Sequence, residues 1–353
     1  MRTPRPLSPA FESVAPQPMT ATVVPFHSSP EPAFVPERVP ASEAEPRAVE
    51  VAEDFETLRD RGRELGNKGS YREAAVVYRR AAQVAAAAGD DARSDEAVCG
   101  WATAETELGN GARVMPELRQ VLLRSAVEYN CWLASYALAR AHELEGQVKK
   151  ALFYARLSLH HSACVDRPGS MAGSHNLLGN LLLTEGCEAD AAAEYRKALR
   201  ESRDARPTWV AGVEGNLGYA IVARAGGQGL RSARVREGLR LLYRSLRTFQ
   251  RAKAGLDAAI SHLDVCFAHL ELKRPRTAKR HGERALALAE AHGDSDTVKN
   301  CLYLLGQTAM LEGESERAQQ YFGELERRFY PGRAGLANVL MSLDLRQVVN
   351  LRV

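Results

Sequence analysis

Three side chains able to ligate a metal, His262, Cys266 and His269, follow one another at i, i+4 and i+7. On a helix that spacing puts them on one face, an arrangement zinc could accept. His160, His161 and Cys164 form a second such group, and the glycines of NLGYAIVARAGGQG invite comparison with a phosphate-cradling loop. Each has a plainer account. The first trio falls on sites that face a partner helix within a repeat, where core packing is the better reading. The second closes a helix, where the dipole favours imidazoles. The glycine run follows no strand and its glycines fall on repeat sites. No Walker loop, dinucleotide fingerprint, nucleophile elbow or zinc-protease motif occurs, so the sequence points to no catalytic residue, no metal and no cofactor.

A further chemistry is carried by charge. Between residues 224 and 284 stand fifteen Lys and Arg against five Asp and Glu, in a chain whose net charge is only +3. Arg240, Arg244, Arg247 and Arg251 share one helical face, and Arg280 and Arg284 repeat the first two 40 residues later. Such a patch suits an acidic partner or nucleic acid, or simply solvates an outer face. No aromatic side chains interleave the row, as single-strand stacking would need.

The elements that carry these residues come from a repeated cassette: a small residue, a turn glycine seven positions later, then an alanine five later. Its clearest copies are GRELGNKGSYREAAVVYRRAA (62–82), LLGNLLLTEGCEADAAAEYRKAL (177–199) and LLGQTAMLEGESERAQQYF (304–322). Gly62, Ala102, Ala139, Gly179, Gly218, Cys266 and Gly306 mark the first helix of each unit. Ala74, Val114, Ala151, Ala191, Gly238, Ala278 and Ala318 mark the second. Small residues there let two antiparallel helices approach, with Tyr78, Tyr195 and Phe322 filling the wedge between them. Gly69, Gly109, Gly146, Gly186 and Gly313 sit where the first helix turns into the second. The second unit carries Pro116 early in its second helix, and the fifth holds extra residues, AGGQGLRSA (225–233), read as an exposed loop. A repeat of this length means a solenoid whose units bury their apolar faces against neighbours.

From about Phe55 to Tyr330 this pattern resembles the tetratricopeptide repeat family. The near-40-residue period is similar to that of kinesin light chains and the bacterial Rap-type peptide receptors. The resemblance implies an all-α, right-handed superhelix of seven helix pairs. The family's tryptophan site is filled here by Leu58, Val98, Ser135, His175, Glu214, His262 and Leu302. It also implies a concave surface lined by one face of each first helix. That face reads Tyr136 and Arg140, Asn176 and Asn180, Asn216 and Tyr219, Asp264 and Phe267, then Asn300, Tyr303 and Gln307. Asparagine is a poor interior helix former, yet its carboxamide can both donate to and accept from one peptide unit of an extended ligand. In the resembling families asparagines hold ligand backbone, and here the interleaved Tyr219 and Tyr303 are the expected aromatic anchors.

Length and composition set the remaining bounds. Residues 1–50 hold 11 of the 16 prolines of the 353-residue chain, which predicts a disordered tail. A flexible tail of that length reaches on the order of 40 Å, enough to act as a tethered ligand. The repeat domain is expected over 51–332. A capping segment follows over 333–353, with Leu336, Val339, Leu340 and Leu343 on one helical face. No run of 18 apolar residues suggests a membrane span, no apolar stretch near the N-terminus suggests a secretory signal, and six scattered cysteines suggest free thiols in the cytoplasm. The expected function is a non-enzymatic adaptor or regulator holding a protein or peptide segment in the groove. The alternative is a regulator that binds nucleic acid or an acidic partner through the arginine face.

Overall fold

Fifteen α-helices make up the regular structure of the described residues (53–167, 169–203, 205–225 and 229–342) in the computed structural model. All of these residues lie in one unit that runs from Ala44 to Val353. The helices pair in chain order. The first two units are α1 (Phe55–Asn67) with α2 (Tyr71–Ala87) and α3 (Asp91–Glu107) with α4 (Gly111–Arg124). Next come α5 (Glu128–Leu144) with α6 (Val148–Ser162) and α7 (Ser170–Thr184) with α8 (Glu188–Arg200). The last three pairs are α9 (Pro207–Ala225) with α10 (Ala233–Arg251), α11 (Gly255–Glu271) with α12 (Pro275–His292), and α13 (Ser295–Glu312) with α14 (Ser315–Phe329). A short α15 (Leu336–Ser342) follows. The seven expected pairs are present, and the tail over 1–50 lies outside the described residues.

The small residues do what their spacing requires. A Cβ added to Gly179 would stand 2.6 Å from the ring of Tyr195, and one added to Gly62 would stand 3.0 Å from Tyr78. Gly306 meets Phe322 in the same way. Tyr195 and Phe322 are fully buried. Each wedge ring thus occupies volume that only a missing side chain leaves open. In the fifth unit no ring intervenes, and a Cβ on Gly218 would lie 2.8 Å from the Gly238 carbonyl oxygen, so backbone meets backbone.

Three of the four polar residues at the tryptophan site are tied to the second helix of their own unit, while Ser135 donates to the Cys131 and Trp132 carbonyls of its own helix. His175 Nδ1 lies 2.6 Å from Glu194 Oε2, His262 Nδ1 lies 2.9 Å from His281 Nδ1, and Glu214 accepts from Arg244. A bonded polar pair replaces the packing of a large ring and satisfies groups that burial would otherwise leave costly. Pro116 falls in the second turn of α4. The loop of the fifth unit is described only outside 226–228, where Leu230 is exposed.

Gly69, Gly109, Gly146, Gly186 and Gly313 all adopt positive φ at the turn between paired helices. The sixth unit departs from this pattern by placing Lys273, at φ 53°, where those five use glycine. A side chain in the left-handed region costs on the order of 1 kcal/mol. Lys273→Gly is therefore expected to raise the urea midpoint, by about 0.5–1 kcal/mol of stability. An unchanged or lower midpoint would show that the turn bears no strain.

Contacts between first helices run through the whole chain, from α1 to α3, α5, α7, α9, α11 and α13, and form an inner layer. Arg206, beside the start of α9, donates to Asn67 Oδ1 at the end of α1 over 3.4 Å at the surface. At the far end α15 buries Ala337 and Leu340 against the last repeat. Val339, expected on the same apolar face, is 54% exposed instead. In so short a helix the buried stripe is only one residue wide per turn. Leu343 lies outside the described residues.

Candidate functional site

Relative to the small packing residue, the inner face of a first helix is formed by positions −6, −3, −2 and +1, an arc of about 100° on a helical wheel. In the first three units these positions, with the adjoining start of α2, enclose a cavity of about 430 Å³. Arg59 and Arg63 come from α1, Glu96, Gly100 and Thr103 from α3, and Tyr136 and Arg140 from α5. Tyr71 and Tyr78 of α2, Tyr129 at the start of α5, and Glu107 complete the lining. Tyr136 and Arg140 were expected on this face; Arg59 and Arg63, at −3 and +1 of the first unit, were legible by the same register and were missed. Tyr71, Tyr78, Tyr129, Glu96 and Glu107 were missed as well.

Most charges in the cavity are internally paired. Arg140 bridges Glu107 (3.0 Å) and Glu143 (2.5 Å). Burial works against its charge, but the two carboxylates hold its pKa above the usual range. Arg59 pairs with Glu56 and Asp60, and Arg63 with Asp60. The Arg167 guanidinium lies 4.2 Å from the centroid of the Tyr129 ring. Glu96 makes no ion pair among the described residues, and burial raises its pKa. Burial also raises Tyr136, and takes Tyr78 up to about 12. The result is a polar cavity with tyrosine walls and restrained guanidinium planes.

Beyond the cavity the inner face turns to carboxamides. Asn216 Nδ2 donates to Asn176 Oδ1 (3.3 Å) and Asn180 Oδ1 (3.2 Å), and the Tyr195 hydroxyl donates to Asn180 Oδ1 (2.9 Å). All three asparagines are half-buried. The structure brings them together in one ladder across α7 and α9, whose acceptors are used while the amide N–H groups of Asn176 and Asn180 have no partner among the described residues.

The C-terminal third of the face differs from expectation. Tyr219 and Tyr303, expected as accessible anchors, are 7% and 3% exposed, and Asn300 and Gln307 are also buried. Tyr219 stacks on half-buried Phe267, with centroids 4.4 Å apart, because α9, α11 and α13 pack directly side by side here. Asp264 is buried on the same stretch. Asn300 Oδ1 and Gln307 Nε2 lack a hydrogen-bond partner among the described residues, a condition that costs about 1–3 kcal/mol per group until something supplies one.

His262, Cys266 and His269 are buried, as their repeat positions predict. His262 and His269 are buried with His281 of α12, which sequence reasoning overlooked; the ring centroids of His281 stand 5.0 Å from His262 and 6.3 Å from His269. Tyr243 of α10 shares a 2.8 Å hydrogen bond with His269 Nε2. Cys266 is fully buried, and burial lifts its thiol pKa to about 12. No group of three metal-ligating side chains suited to a metal occurs among the described residues. His161 meets Glu128 at 2.6 Å on the surface. All six cysteines are free thiols, and no described helix is long and apolar enough to cross a membrane.

On the opposite side, Arg240, Arg244, Arg247, Arg251, Arg280 and Arg284 are all exposed. Arg244 alone of the six is tied down, by Glu214.

No protein-family model matches this chain, nor does any curated protein. Solved structures do. A Rap protein complexed with competence and sporulation factor matches at TM-score 0.62, with 10% identity over 82% of this chain and 78% of that one. The apo form of RapI matches at TM-score 0.55, with 11% identity over 77% and 76%. Aspartyl phosphate phosphatase F from Bacillus subtilis matches at TM-score 0.50, with 10% identity over 82% and 98%. At such identities the likeness is one of fold. The chain is an all-α, tetratricopeptide-like solenoid of seven helix pairs, similar in fold to these Rap structures.

Proposed function

We propose that this protein is a peptide- or protein-binding adaptor or regulator, and that an extended partner segment lies along the inner face from the tyrosine-walled cavity to α13. The observation that carries this reading is unused hydrogen-bonding capacity. Asn176 and Asn180 of α7 present amide donors without partners among the described residues, and on α13 the buried Asn300 Oδ1 and Gln307 Nε2 are likewise unmatched. A peptide backbone offers one donor and one acceptor per residue and meets such a row without demanding a particular sequence. The cavity lined by Tyr71, Tyr78, Tyr129 and Tyr136 then supplies selectivity, since aromatic walls with a few placed polar groups are how small pockets choose side chains. The structure of a Rap protein in complex with competence and sporulation factor supports the reading by analogy of fold.

The test is panning of a random-peptide library on the full chain and on the Asn176→Ala/Asn180→Ala/Asn216→Ala variant. Peptides enriched on the wild type should bind the variant at least tenfold more weakly. Removing Asn180 also strips a bond from Tyr195, at about 1 kcal/mol. Tyr195→Phe, which removes that bond without touching the groove face, is the control and should retain peptide binding. No enrichment, or equal binding to wild type and variant, would contradict the proposal.

A further inference from the structure

We propose that the outer face of α10 and α12 binds the phosphate backbone of duplex nucleic acid. The residues are Arg240, Arg247 and Arg251 on α10 with Arg280 and Arg284 on α12. All five are exposed, and none forms an ion pair among the described residues. Arg59, Arg63, Arg93, Arg124, Arg140, Arg317 and Arg328 are each held by carboxylates, and these five are not. Guanidiniums left without an internal acid are free for bidentate contact with phosphate.

The scaffold fixes the two rows relative to each other. Tyr243 of α10 packs against His281 of α12 with centroids 5.8 Å apart, and its hydroxyl bonds His269 of the intervening α11. The stretch Arg240 to Arg251 rises about 16 Å along α10, a length over which a duplex carries roughly ten phosphate charges. A rigid two-row array therefore meets several phosphates without ordering flexible loops.

The same face argues against a protein partner. Interface centres are built from aromatic and apolar anchors and are depleted in charge. None of the large apolar side chains exposed on the described residues lies on α10 or α12; they are Val76, Leu123, Val127, Leu144, Phe153, Leu230, Leu256, Leu311 and Val339. The absence of exposed aromatic rings on this face equally disfavours single strands, which bind by stacking.

Fluorescence anisotropy of the full chain with a labelled duplex DNA of arbitrary sequence, across a salt series, tests this. Affinity should fall steeply with salt, with a log–log slope of about −4.5 for five phosphate contacts. Arg240→Gln/Arg247→Gln/Arg251→Gln/Arg280→Gln/Arg284→Gln should bind at least tenfold more weakly with a flatter slope, while keeping its helical circular dichroism. The matching five-lysine variant should keep the salt slope, because the slope counts charges, while losing some affinity with the bidentate contacts. The asparagine triple variant should bind duplex normally, which separates this site from the groove. No binding at low salt would overturn the proposal. So would an unchanged slope in the glutamine variant, or tighter binding to single strands or to a polyglutamate peptide.

Discussion

Gly179→Leu is expected to destabilise the protein by about 3 kcal/mol or more, measured as a fall in the urea midpoint. Even a single carbon at this position would stand 2.6 Å from the Tyr195 ring. That ring cannot retreat: it is fully buried between α7 and α8, and its hydroxyl is bonded to Asn180. Leucine must therefore force the two helices apart, and the neighbouring units that bury their faces on this pair lose contact with it. The cause can be isolated by a cycle. Gly179→Leu/Tyr195→Ala should lose less than the two single variants together, because truncating the ring makes room for the leucine. Strict additivity would show that the glycine serves some purpose other than accommodating the ring.

Acidification is expected to have the second large effect. Burial, followed by the charge of His281 and of nearby arginines, lowers the pKa of His262 and of His269 to about 4 from 6.5. Burial lowers His281 too, with Arg280 adding to it. The neighbours of the three histidines are Tyr243 and Gln250 on α10 and, by charge, Arg274, Arg280 and Arg284. Well above pH 6.5 neither folded nor unfolded chains protonate these rings, and stability is full. As pH falls from 6.5 towards 4 the unfolded chain takes up protons that the folded chain refuses, so stability is lost across that window. The loss from pH 7 to pH 5 should be about 2 kcal/mol for each of His262 and His269. Replacing both by leucine should flatten urea midpoints over this range. A wild-type midpoint that does not move between pH 7 and pH 5 would contradict the neutral, buried assignment.

The repeat was legible because its determinants are local. A missing side chain at Gly62, Gly179 or Gly306 and a ring at Tyr78, Tyr195 or Phe322 announce a helix pair wherever they recur. The inner face was legible to the same degree, since helical register alone places Tyr136 beside Arg140 and Asn176 beside Asn180; extended by one step it would have included Arg59 and Arg63. What register cannot give is how closely successive units approach. The burial of Tyr219 and Tyr303 depends on the tight side-by-side packing of α9, α11 and α13, which no single unit encodes. Nor can it give contacts made across the superhelix. Tyr71 and Tyr129 enter the cavity from a second helix and from the start of another unit's first helix, and Arg206 reaches α1 from the fifth unit. The pairing of Arg244 with Glu214 follows the same rule: both sites could be read in the sequence, but the bond between them could not.

Hydrogen–deuterium exchange of the full chain, with and without a peptide enriched in the library selection, tests the central claim most directly. The inner-face assignment predicts added protection in α1, α3, α5, α7, α9 and α13, with α10 and α12 unchanged. Protection confined to α10 and α12, or none at saturating peptide, would contradict it.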